Sequence, residues 1–499
     1  MKIITMRHIL GNKVLQYDVD DRGVIVDERE YDRTVNPKPN IADWVKEHMV
    51  FWYDMSKPVD TYSQNFNDWR PHPSVNADII ITSTSFVITR FATLNDTVKY
   101  YIPDQTKNFP GMKVEVKGIV DGQELYWGYS ADVKLVNITS DGTYDIPPLE
   151  TVNGNLSFRN GNIVGACNIT ITQLPSGQSV PTNEILKANP YLQDHSGNNR
   201  PLKLNNFMFA AMSGVGGYDI ASTNILPDRA NVTVTDNRII HITKKLSTTD
   251  NMVNIVPANS NPTHKFKVTG LSDGRQVSLV NRNGGFYTFD NGEHEVTLTY
   301  PEGTTSLYNA IGVTGSTGDM DVTIEFIPRY PNALVTDGVD DYGVVENFKS
   351  LQNYMMFFQC AIIRPATSKG MFSTTPIEGN IKGWMLLQGN SANEVKFGNN
   401  VYKNFKVTSS IGDKISYVLS ANNELMTCYV GEEKATVTGT YKQTGANMSL
   451  FLSDNNNKTR FGSMAFYKSI LFDSVPTKEN DGFTEQDLID YVLENLITK

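Results

Sequence analysis

Short runs of alternating apolar and polar residues dominate the chain, and they are rich in Val, Ile, Thr, Tyr and Phe. Turn dipeptides such as Asn-Gly, Asp-Gly and Gly-Gly separate these runs. Alternation with a period of two is typical of strands that bury one face, and the turn residues mark the connections between them. Leu15, Tyr17 and Val19 show the pattern clearly, and Val24 and Val26 continue it after an Asp-Arg-Gly turn. The pattern predicts an all-β protein that begins with a hairpin.

Helical spacing of apolar residues is rare, and we find it near the two ends of the chain. One short helix is predicted over 41–49, where the apolar residues fall on one helical face. A second helix is predicted after Thr484, whose hydroxyl can cap it, with Glu485 and Asp487 suiting its N-terminus. Both helices are amphipathic, so each should pack on the β structure.

An internal repeat spans the middle of the chain. The run KVEVKGIVDGQ at 113–123 matches KFKVTGLSDGR at 265–275, at an offset of 152 residues. Further along, NITITQLP at 168–175 matches DVTIEFIP at 321–328. Two copies this far apart are typical of two related domains rather than of a solenoid. Alternating apolar positions inside each copy predict two β-sandwiches of Ig-like size.

Four motifs outside the repeat occur in a consistent order. They are HMVFWYDMSK at 48–57, DHSGN at 194–198, DGVDDY at 337–342, and GSMAFYKSILF at 462–472. In this order they resemble the opening strand, a turn, a hairpin and the closing strand of the bacterial and phage laminin-G-like branch of the concanavalin A-like lectin fold. The resemblance covers about half of the chain and implies a single jelly roll.

The predicted fold is therefore an all-β, multi-domain β-sandwich. A laminin-G-like jelly roll is interrupted by two related Ig-like insertions and carries short N- and C-terminal helices. The predicted segments are an N-terminal hairpin anchor (1–40), jelly-roll segments (41–75, 176–229 and 330–499), a first inserted module (76–175) and a second inserted module (230–329).

A narrower resemblance concerns function. The runs NPYLQDHSGNNRPLKL at 189–204, MSGVGGY at 212–218 and ALVTDGVDDYG at 333–343 resemble virion or fibre-type proteins of crAss-like and related gut bacteriophages. The resemblance implies a structural or adhesion protein of the virion, head-fibre or tail-associated, anchored through 1–40. Its partners would be other virion proteins, further copies of itself in a dimer or trimer, and host-surface polysaccharide.

Composition narrows the other classes of partner. The formal charge is −10, with 44 Lys and Arg against 54 Asp and Glu and no dense basic cluster, so nucleic acid is not expected as a partner. Cys167, Cys360 and Cys428 lie far apart, which argues against a disulfide framework and a zinc site. The apolar run 354–363 is too short to span a bilayer, and the first residues lack the apolar core of a signal peptide. We therefore expect virion localisation after synthesis in the host cytoplasm, without membrane insertion.

Catalytic motifs are missing from the sequence. No HExxH, GxSxG, P-loop or dinucleotide fingerprint occurs, and no strand carries the alternating carboxylates of concanavalin A-like glucanases. We therefore predict that the protein is not an enzyme and needs no cofactor. Two alternatives stay open: a decoration protein that contacts only other virion subunits, and a capsular polysaccharide depolymerase whose acids come from distant strands.

Two candidate binding sites remain. Asp337, Asp340 and Asp341 cluster near a turn, where acidic residues are common without a ligand, so we predict a solvated turn and no metal site. Aromatic rings can stack on the apolar faces of sugars. The candidates for glycan binding are Tyr126, Trp127 and Tyr129 in the first module and Trp384 in the jelly roll. A core or cross-strand position is the alternative for each of these rings.

Overall fold

The computed structural model describes most of the chain, in ranges separated by gaps. The described residues are 4–10, 13–19, 25–32, 40–62, 66, 69–71, 78–82, 84–93, 97–100, 109, 111–130, 133–149, 156–218, 220–225, 231–235, 238–245, 253–257, 263–281, 286–298, 309–346, 348, 351, 353–374, 384–391, 393–398, 402–422, 425–438, 448–454 and 459–498. Only the backbone is described for the strands before residue 40 and for 69–71, 97–100, 129–130, 220–225, 256–257, 281, 452–454 and 459.

The N-terminal region is a three-stranded antiparallel sheet. Its strands are β1 (Ile4–Leu10), β2 (Lys13–Val19) and β3 (Ile25–Asp32), in the order β1-β2-β3. The predicted hairpin is confirmed as β2 and β3, and β1 adds a strand that the sequence analysis missed.

A helix and two strands open the jelly roll: α1 (Ile41–His48), β4 (Met49–Asp54) and β5 (Val59–Thr61). Asn40 caps α1, because its side-chain oxygen accepts the backbone N–H of Asp43 at 2.9 Å. The predicted N-terminal helix is confirmed and ends one residue earlier than predicted.

Module 1 is a sandwich of two five-stranded antiparallel sheets, in the orders β13-β10-β15-β8-β7 and β12-β11-β14-β9-β6. One hydrophobic core lies between the sheets, with Val114 and Ile169 from the first and Trp127 and Phe158 from the second. The strands are β6 (Trp69–Pro71), β7 (Asp78–Ile81), β8 (Ser85–Phe91), β9 (Thr97–Tyr100), β10 (Met112–Lys117), β11 (Leu125–Ser130), β12 (Val133–Ile138), β13 (Gly142–Ile146), β14 (Ser157–Asn160) and β15 (Gly165–Gln173).

A short jelly-roll segment follows module 1. It contains β16 (Gly177–Ser179), α2 (Asn183–Ala188), β17 (Tyr191–Leu192), β18 (Leu202–Asn205) and β19 (Gly214–Val215). Strand β16 pairs antiparallel with β5, so that Thr61 lies opposite Gly177. The chain therefore leaves the jelly roll and returns to it along one two-stranded stalk, which carries module 1.

Module 2 repeats the topology of module 1. Its sheet orders are β27-β24-β29-β22-β21 and β26-β25-β28-β23-β20, read from the same edges as in module 1. The strands are β20 (Ile220–Ile225), β21 (Val232–Thr235), β22 (Ile239–Lys245), β23 (Val253–Pro257), β24 (Thr263–Thr269), β25 (Gln276–Asn281), β26 (Phe286–Phe289), β27 (Gly292–Thr297), β28 (Asn309–Thr314) and β29 (Gly318–Phe326).

The two modules also share local irregularities. In module 1 the pairing of β15 with β8 shifts between Ala166 and Ile169, and in module 2 the pairing of β22 with β29 shifts between Ile242 and Lys244, at the matching point of the sheet. Such bulges are specific features of a strand pair. Their recurrence agrees with the sequence repeat and makes the modules structural copies.

The last segment completes the jelly roll. It comprises β30 (Leu334–Val335), β31 (Tyr342–Val345), β32 (Asn353–Arg364), β33 (Gly370–Ser373), β34 (Met385–Gln388), β35 (Glu394–Gly398), β36 (Tyr402–Lys406), β37 (Lys414–Asn422), β38 (Leu425–Val430), β39 (Glu433–Thr438), β40 (Met448–Leu450), β41 (Leu452–Asp454), β42 (Thr459–Phe461), β43 (Ser463–Phe472), α3 (Lys478–Asp481), α4 (Glu485–Val492) and a π-helical turn (Leu493–Ile497).

Two large sheets form the jelly roll. One has the path β17-β18-β31-β40-β33-β34-β35-β36, with β41 and β42 beside it. The other has the path β19-β30-β43-β32-β37-β38-β39, and β4 pairs with β43 at its branch. The predicted opening and closing strands, β4 and β43, are thus neighbours although both modules lie between them in sequence. The structure confirms the predicted all-β fold with two insertions.

Strand β32 explains the long apolar run of the sequence. Tyr354, Met356 and Phe358 point into the sandwich core, while Met355 and Phe357 point to the outer face. There α1 and α4 cover them, and the predicted capping of α4 by Thr484 is confirmed as a capping box with Asp487. A strand buried on both faces needs no polar alternation. Within the described residues, no helix is long and apolar enough to cross a membrane.

A buried ion pair joins the first and last segments. The Lys468 ammonium lies 3.2 Å from a carboxylate oxygen of Asp54, and both side chains are almost fully buried. Asp54 also accepts from the backbone N–H and the hydroxyl of Ser56 at 2.9 and 2.6 Å. The same ammonium donates to the carbonyl oxygen of Leu496 at 3.4 Å. One cation thus links β4, β43 and the C-terminal turn.

Two predictions about organisation need correction. Residues 337–342 do not form a hairpin, because β30 belongs to one sheet of the jelly roll and β31 to the other. The segment is instead a crossing between sheets. Strands β6 and β20 were predicted in jelly-roll segments, yet they pair with β9 and β23 inside the modules. The modules therefore begin before residues 76 and 230, and the remaining predicted limits stay predictions.

Candidate functional site

The predicted aromatic glycan site falls mostly in the cores. Trp127 and Trp384 are both 0% exposed. Trp127 packs between Phe109 and Phe158, with ring centroids 5.4 and 4.9 Å away. No face of either indole is open to a sugar, so the prediction is wrong for Trp127 and Trp384. Trp127 lies on the inward face of β11, and Trp384, just before β34, belongs to the jelly-roll core.

The two tyrosines of the predicted cluster give a different result. Tyr126 is 6% exposed, and the ammonium of Lys134 lies over its ring at 4.8 Å from the centroid. That cation covers the face that a sugar would need, so the prediction is wrong for Tyr126 as well. The side chain of Tyr129 lies outside the described residues.

The acidic cluster is part of the crossing between the jelly-roll sheets. One carboxylate oxygen each of Asp337, Asp340 and Asp341 lies within 4.8 Å of the others. Asp341 is fully buried and accepts the Ser213 hydroxyl and the Asp337 backbone N–H, both at 2.9 Å. Burial, together with the charges of Asp337 and Asp340, raises the pKa of Asp341 to about 7 against these hydrogen bonds. The hydrogen bonds give the group a structural role in the crossing.

A different region forms a polar depression beside the stalk of module 1. We call it the junction cleft, and its volume is about 460 Å³, within the size range of ligand sites. It lies where the stalk of module 1, the β7–β8 turn, α2 and the loop after β17 meet. It is lined by Val59, Asp60, Tyr62, Thr82, Thr84, Ile185, Asn189, Tyr191, Gln193, Asp194, Gly197, Asn199 and Pro201.

Asp60 is held in place on the stalk side of the cleft. Its backbone N–H donates to the amide oxygen of Gln193 at 2.9 Å, and its Oδ1 accepts the Nε2–H of Gln178 at 3.1 Å. Gln193 belongs to the jelly roll and Gln178 to the returning stalk strand. The jelly roll therefore holds the backbone of Asp60, and the returning stalk strand orients its carboxylate.

Asp194 shapes the opposite wall. Its Oδ1 accepts the backbone N–H groups of Trp52 and Ser196, both at 2.9 Å, and its Oδ2 accepts that of Arg200 at 3.0 Å. These bonds fold 194–200 into the predicted turn and tie it to β4. Gly197 and Asn199 both adopt positive φ within it, at 89° and 53°, which Gly and Asn tolerate better than other residues.

Tyr62, which lines the cleft, and His195, in the turn 194–200 beside it, are partly buried and keep their neutral forms. Burial, and secondarily the charge of Asp60, raises the pKa of Tyr62, so its phenol remains a hydrogen-bond donor. Burial and the charge of Lys57 lower the pKa of His195 against Asp54, Asp194 and Asp60. The cleft thus offers a neutral phenol beside fixed amides and carboxylates.

The arrangement offers hydrogen-bonding groups to a polar ligand. Hydrolysis of a glycosidic bond needs one carboxyl group as an acid and a second as a base or nucleophile. Of the described lining residues, Asp60 and Asp194 are the carboxylic acids, and both serve in hydrogen bonds that hold the walls. The cleft can hold hydroxyl groups, since its amides donate and accept while its carboxylates accept.

Sequence reasoning missed the cleft although it singled out the run that builds much of it. Asn189, Tyr191, Gln193, Asp194, Gly197 and Asn199 all come from that run at 189–204. The density of amide side chains in the run was the available signal. What it lacked was the partner wall, which lies before module 1 in sequence.

Comparisons with known proteins give structural likenesses alone. No family model and no curated protein matches the chain. The Ruminococcus gnavus IT-sialidase CBM40 bound to α2,3-sialyllactose has 10% identity and a TM-score of 0.22, covering 26% of this chain and 80% of its own. Domain 4 of a GH43 extracellular arabinanase from Geobacillus stearothermophilus, in complex with arabinotriose, has 12% identity and a TM-score of 0.22, covering 31% and 80%.

A third likeness extends over nearly the whole chain. The Trypanosoma rangeli sialidase in complex with sialic acid has 10% identity and a TM-score of 0.25, covering 97% of this chain and 93% of its own. TM-scores this low carry no argument about activity or ligand. The assignment of the fold therefore rests on the strand pairing described above.

Proposed function

We propose that the protein is a non-enzymatic adhesion protein of a bacteriophage particle and that it binds host-surface polysaccharide in the junction cleft. The observation that carries the proposal is the lining of the cleft, where tyrosines, amides and oriented carboxylates meet in about 460 Å³. The particle is proposed on the resemblance of the runs at 189–204, 212–218 and 333–343 to virion and fibre-type phage proteins.

Saccharides match this lining chemically. Each sugar hydroxyl both donates and accepts a hydrogen bond, so it pairs with amides, which do the same, and with carboxylates, which accept. Sugars also present apolar C–H faces, and an amphipathic ring such as that of Tyr62 or Tyr191 can contact such a face while its hydroxyl bonds a neighbour. Val59, Ile185 and Pro201 supply apolar wall between these groups.

Self-assembly is the second part of the proposal. Val133 and Leu135 on β12 are exposed, and so are Phe286 and Tyr287 on β26. These are the matching edge strands of the two modules. An edge strand with exposed apolar side chains favours pairing with another chain. We assign this edge to contacts between copies in a dimer or trimer, with 1–40 as the anchor to other virion proteins.

Retention on capsule tests the ligand. Purified protein is incubated with gut-bacterial cells before and after enzymatic removal of their capsule. We expect capsule-dependent retention and unchanged polysaccharide length. Tyr62→Ala and Tyr191→Ala should each weaken retention roughly fivefold or more, since a ring contact is worth about 1 kcal/mol beyond the area it buries. Leu425→Ala, at an exposed side chain on β38 of the jelly roll, should leave retention unchanged.

Four results would argue against the proposal. Shortened polysaccharide would indicate a depolymerase. Equal retention by naked and capsulated cells would exclude a capsular ligand, and no retention by either would favour a decoration protein that contacts only other virion subunits. For self-assembly, sedimentation equilibrium of the wild type should show a dimer or trimer. The double variant Phe286→Ser with Tyr287→Ser should weaken this association. A monomeric wild type would contradict the proposed self-assembly.

A further inference from the structure

We infer that the junction cleft takes a neutral segment of polysaccharide and selects against sugars that carry carboxylate groups, such as uronates. This inference rests on the proposed function and names the ligand class of the same cleft. It follows from the charges of the walls, the hydrogen bonds that hold Asp60 and the absence of Lys and Arg from the described lining residues.

The described lining of the cleft has a negative charge. Asp60 and Asp194 contribute two carboxylates, and no Lys or Arg is among the described lining residues. Lys187 and Arg200 occur in the same stretch of sequence as the cleft-forming run, yet neither lines the cleft. The ammonium of Lys57 lies over the Trp52 ring at 4.2 Å from the centroid. A carboxylate on the ligand would therefore meet like charge, and no Lys or Arg side chain among the described lining residues could pair with it.

Recognition of acidic sugars normally uses the opposite arrangement. Arg and Lys bind carboxylates through charge-assisted hydrogen bonds, and Arg does so with two parallel bonds. A like charge placed close to a partly buried carboxylate is repelled more strongly than in bulk water, because the effective dielectric constant near the protein is lower. Like-charge repulsion in the cleft therefore weakens the binding of an acidic ligand and does not affect the binding of a neutral one.

Asp60 can accept hydrogen bonds from the hydroxyl groups of a neutral ligand. One of its oxygens accepts from Gln178, and its backbone N–H is held by Gln193. An ionised carboxylate has about four acceptor sites, so sugar hydroxyls can donate to those that Gln178 leaves. The orientation is set before the ligand arrives, which lowers the entropy lost on binding.

Chemically matched ligands test the inference. Capsular polysaccharides from gut bacteria are used as isolated and after carbodiimide–borohydride reduction, which converts uronate carboxyls to primary alcohols and keeps the backbone. Binding to the full-length protein is measured by biolayer interferometry at low and at 0.5 M salt. We expect reduction to strengthen binding at least about tenfold, and salt to narrow this difference by screening the repulsion.

Asp60→Asn serves as the variant. The amide keeps a side chain of the same shape, so we expect the preference for the reduced polymer to shrink several-fold, with a smaller loss for neutral polymer. Asp321→Asn, an exposed carboxylate on module 2, is the matched control and should leave the preference unchanged.

The outcomes separate the two proposals. Equal or tighter binding of the acidic polymer, lost in Tyr62→Ala, overturns the neutral-ligand inference and keeps glycan binding in the cleft. An undiminished preference in Asp60→Asn overturns the assignment to Asp60. Absence of binding to both forms of every polymer overturns the proposed function together with the inference.

Discussion

Asp341 is a carboxyl group that the fold buries beneath the crossing between two sheets. Its pKa is raised from an ordinary value near 4 to about 7. The folded state therefore binds a proton that the unfolded state releases between these values. Stability from this group is complete below about pH 4 and declines as the pH rises through 7.

We accordingly expect Asp341→Asn to flatten the dependence of jelly-roll stability on pH. The variant should be more stable than the wild type at pH 8 and should lose that advantage at pH 5, as measured by urea unfolding. Glu432→Gln, at an exposed carboxyl in the turn between β38 and β39, is the control and should keep the wild-type slope. The structure already corrects the predicted solvated turn at Asp341, which is buried. Stabilisation of the wild type at pH 8 by millimolar calcium, absent in Asp341→Asn, would contradict the prediction that this cluster holds no metal.

Trp127 is now expected to act through packing. Its replacement by Ala should destabilise module 1 by about 3–5 kcal/mol, as for other buried large-to-small changes. Hydrogen exchange of the backbone amides in β10 and β11 measures the unfolding free energy of this module. Tyr287→Ala, at a partly exposed ring, should change stability far less. Loss of glycan retention with unchanged exchange would return Trp127 to the binding site.

The strand pattern around Trp127 already contained this answer. Leu125 and Trp127 lie two residues apart, hence on one face of β11, and Ile138 opposite Leu125 is equally buried. The prediction treated Tyr126, Trp127 and Tyr129 as one cluster, although successive residues of a strand face opposite sides of the sheet. For Tyr126 the sequence could not show that Lys134 would cover the ring, because that contact depends on the pairing of β11 with β12.

Matching glycines connect the two modules at the scale of the element. Gly118 and Gly270 have φ of 91° and 86°, and a Cβ at either position would overlap the carbonyl oxygen of Asn168 or Asp321, respectively. These four residues occupy equivalent positions in the repeat. Each glycine lets the end of β10 or β24 approach the bulge of the central strand.

Gly118→Ala and Gly270→Ala should therefore each destabilise their own module by several kcal/mol, since a backbone overlap adds to the ordinary penalty of about 1–2 kcal/mol for a left-handed residue. Gly122→Ala is the control, because its φ is 83° but nothing lies within 4 Å of the added Cβ. It should show the conformational penalty alone. Equal losses at Gly118 and Gly122 in chemical denaturation would remove the role of the close approach.

Elements with strong local signals were predictable, and those set by distant pairing were not. The repeat, the Thr484 cap and the hairpin of β2 and β3 follow from alternation, capping residues and turn residues close in sequence. The stalk of β5 and β16 carries no such pattern, because Val59–Thr61 and Gly177–Ser179 are short and mostly polar. The cleft was missed for the same reason, since that pairing places Asp60 opposite Gln178.

On the scale of the whole molecule, both modules are attached by adjacent chain ends. Thr61 pairs with Gly177 below module 1, and the backbone N–H of Arg329 donates to the carbonyl oxygen of Gly217 at 3.0 Å below module 2. Replacement of 62–176 or of 218–328 by Asn-Gly should therefore leave a folded jelly roll, since two residues close an antiparallel pair.

Circular dichroism and thermal unfolding of these deletion proteins measure the outcome. We expect a cooperative transition of the jelly roll within a few degrees of its value in the full-length protein. The deletion of module 1 should also abolish glycan retention, because it removes Tyr62 and the β7–β8 turn, whereas deletion of module 2 should preserve it. An unfolded product in either case would mean that the jelly roll depends on its modules.

The pairing of β4 with β43 also determines the order in which parts of the chain can fold during synthesis. Strand β4 emerges from the ribosome early, and β43 is the last strand of the chain. At about 5–20 residues per second, β4 waits for tens of seconds with its apolar residues unpaired, while both modules emerge and can fold beside it. Both modules can therefore fold before the jelly roll does. During that interval the apolar residues of β4 need protection by other contacts of the nascent chain.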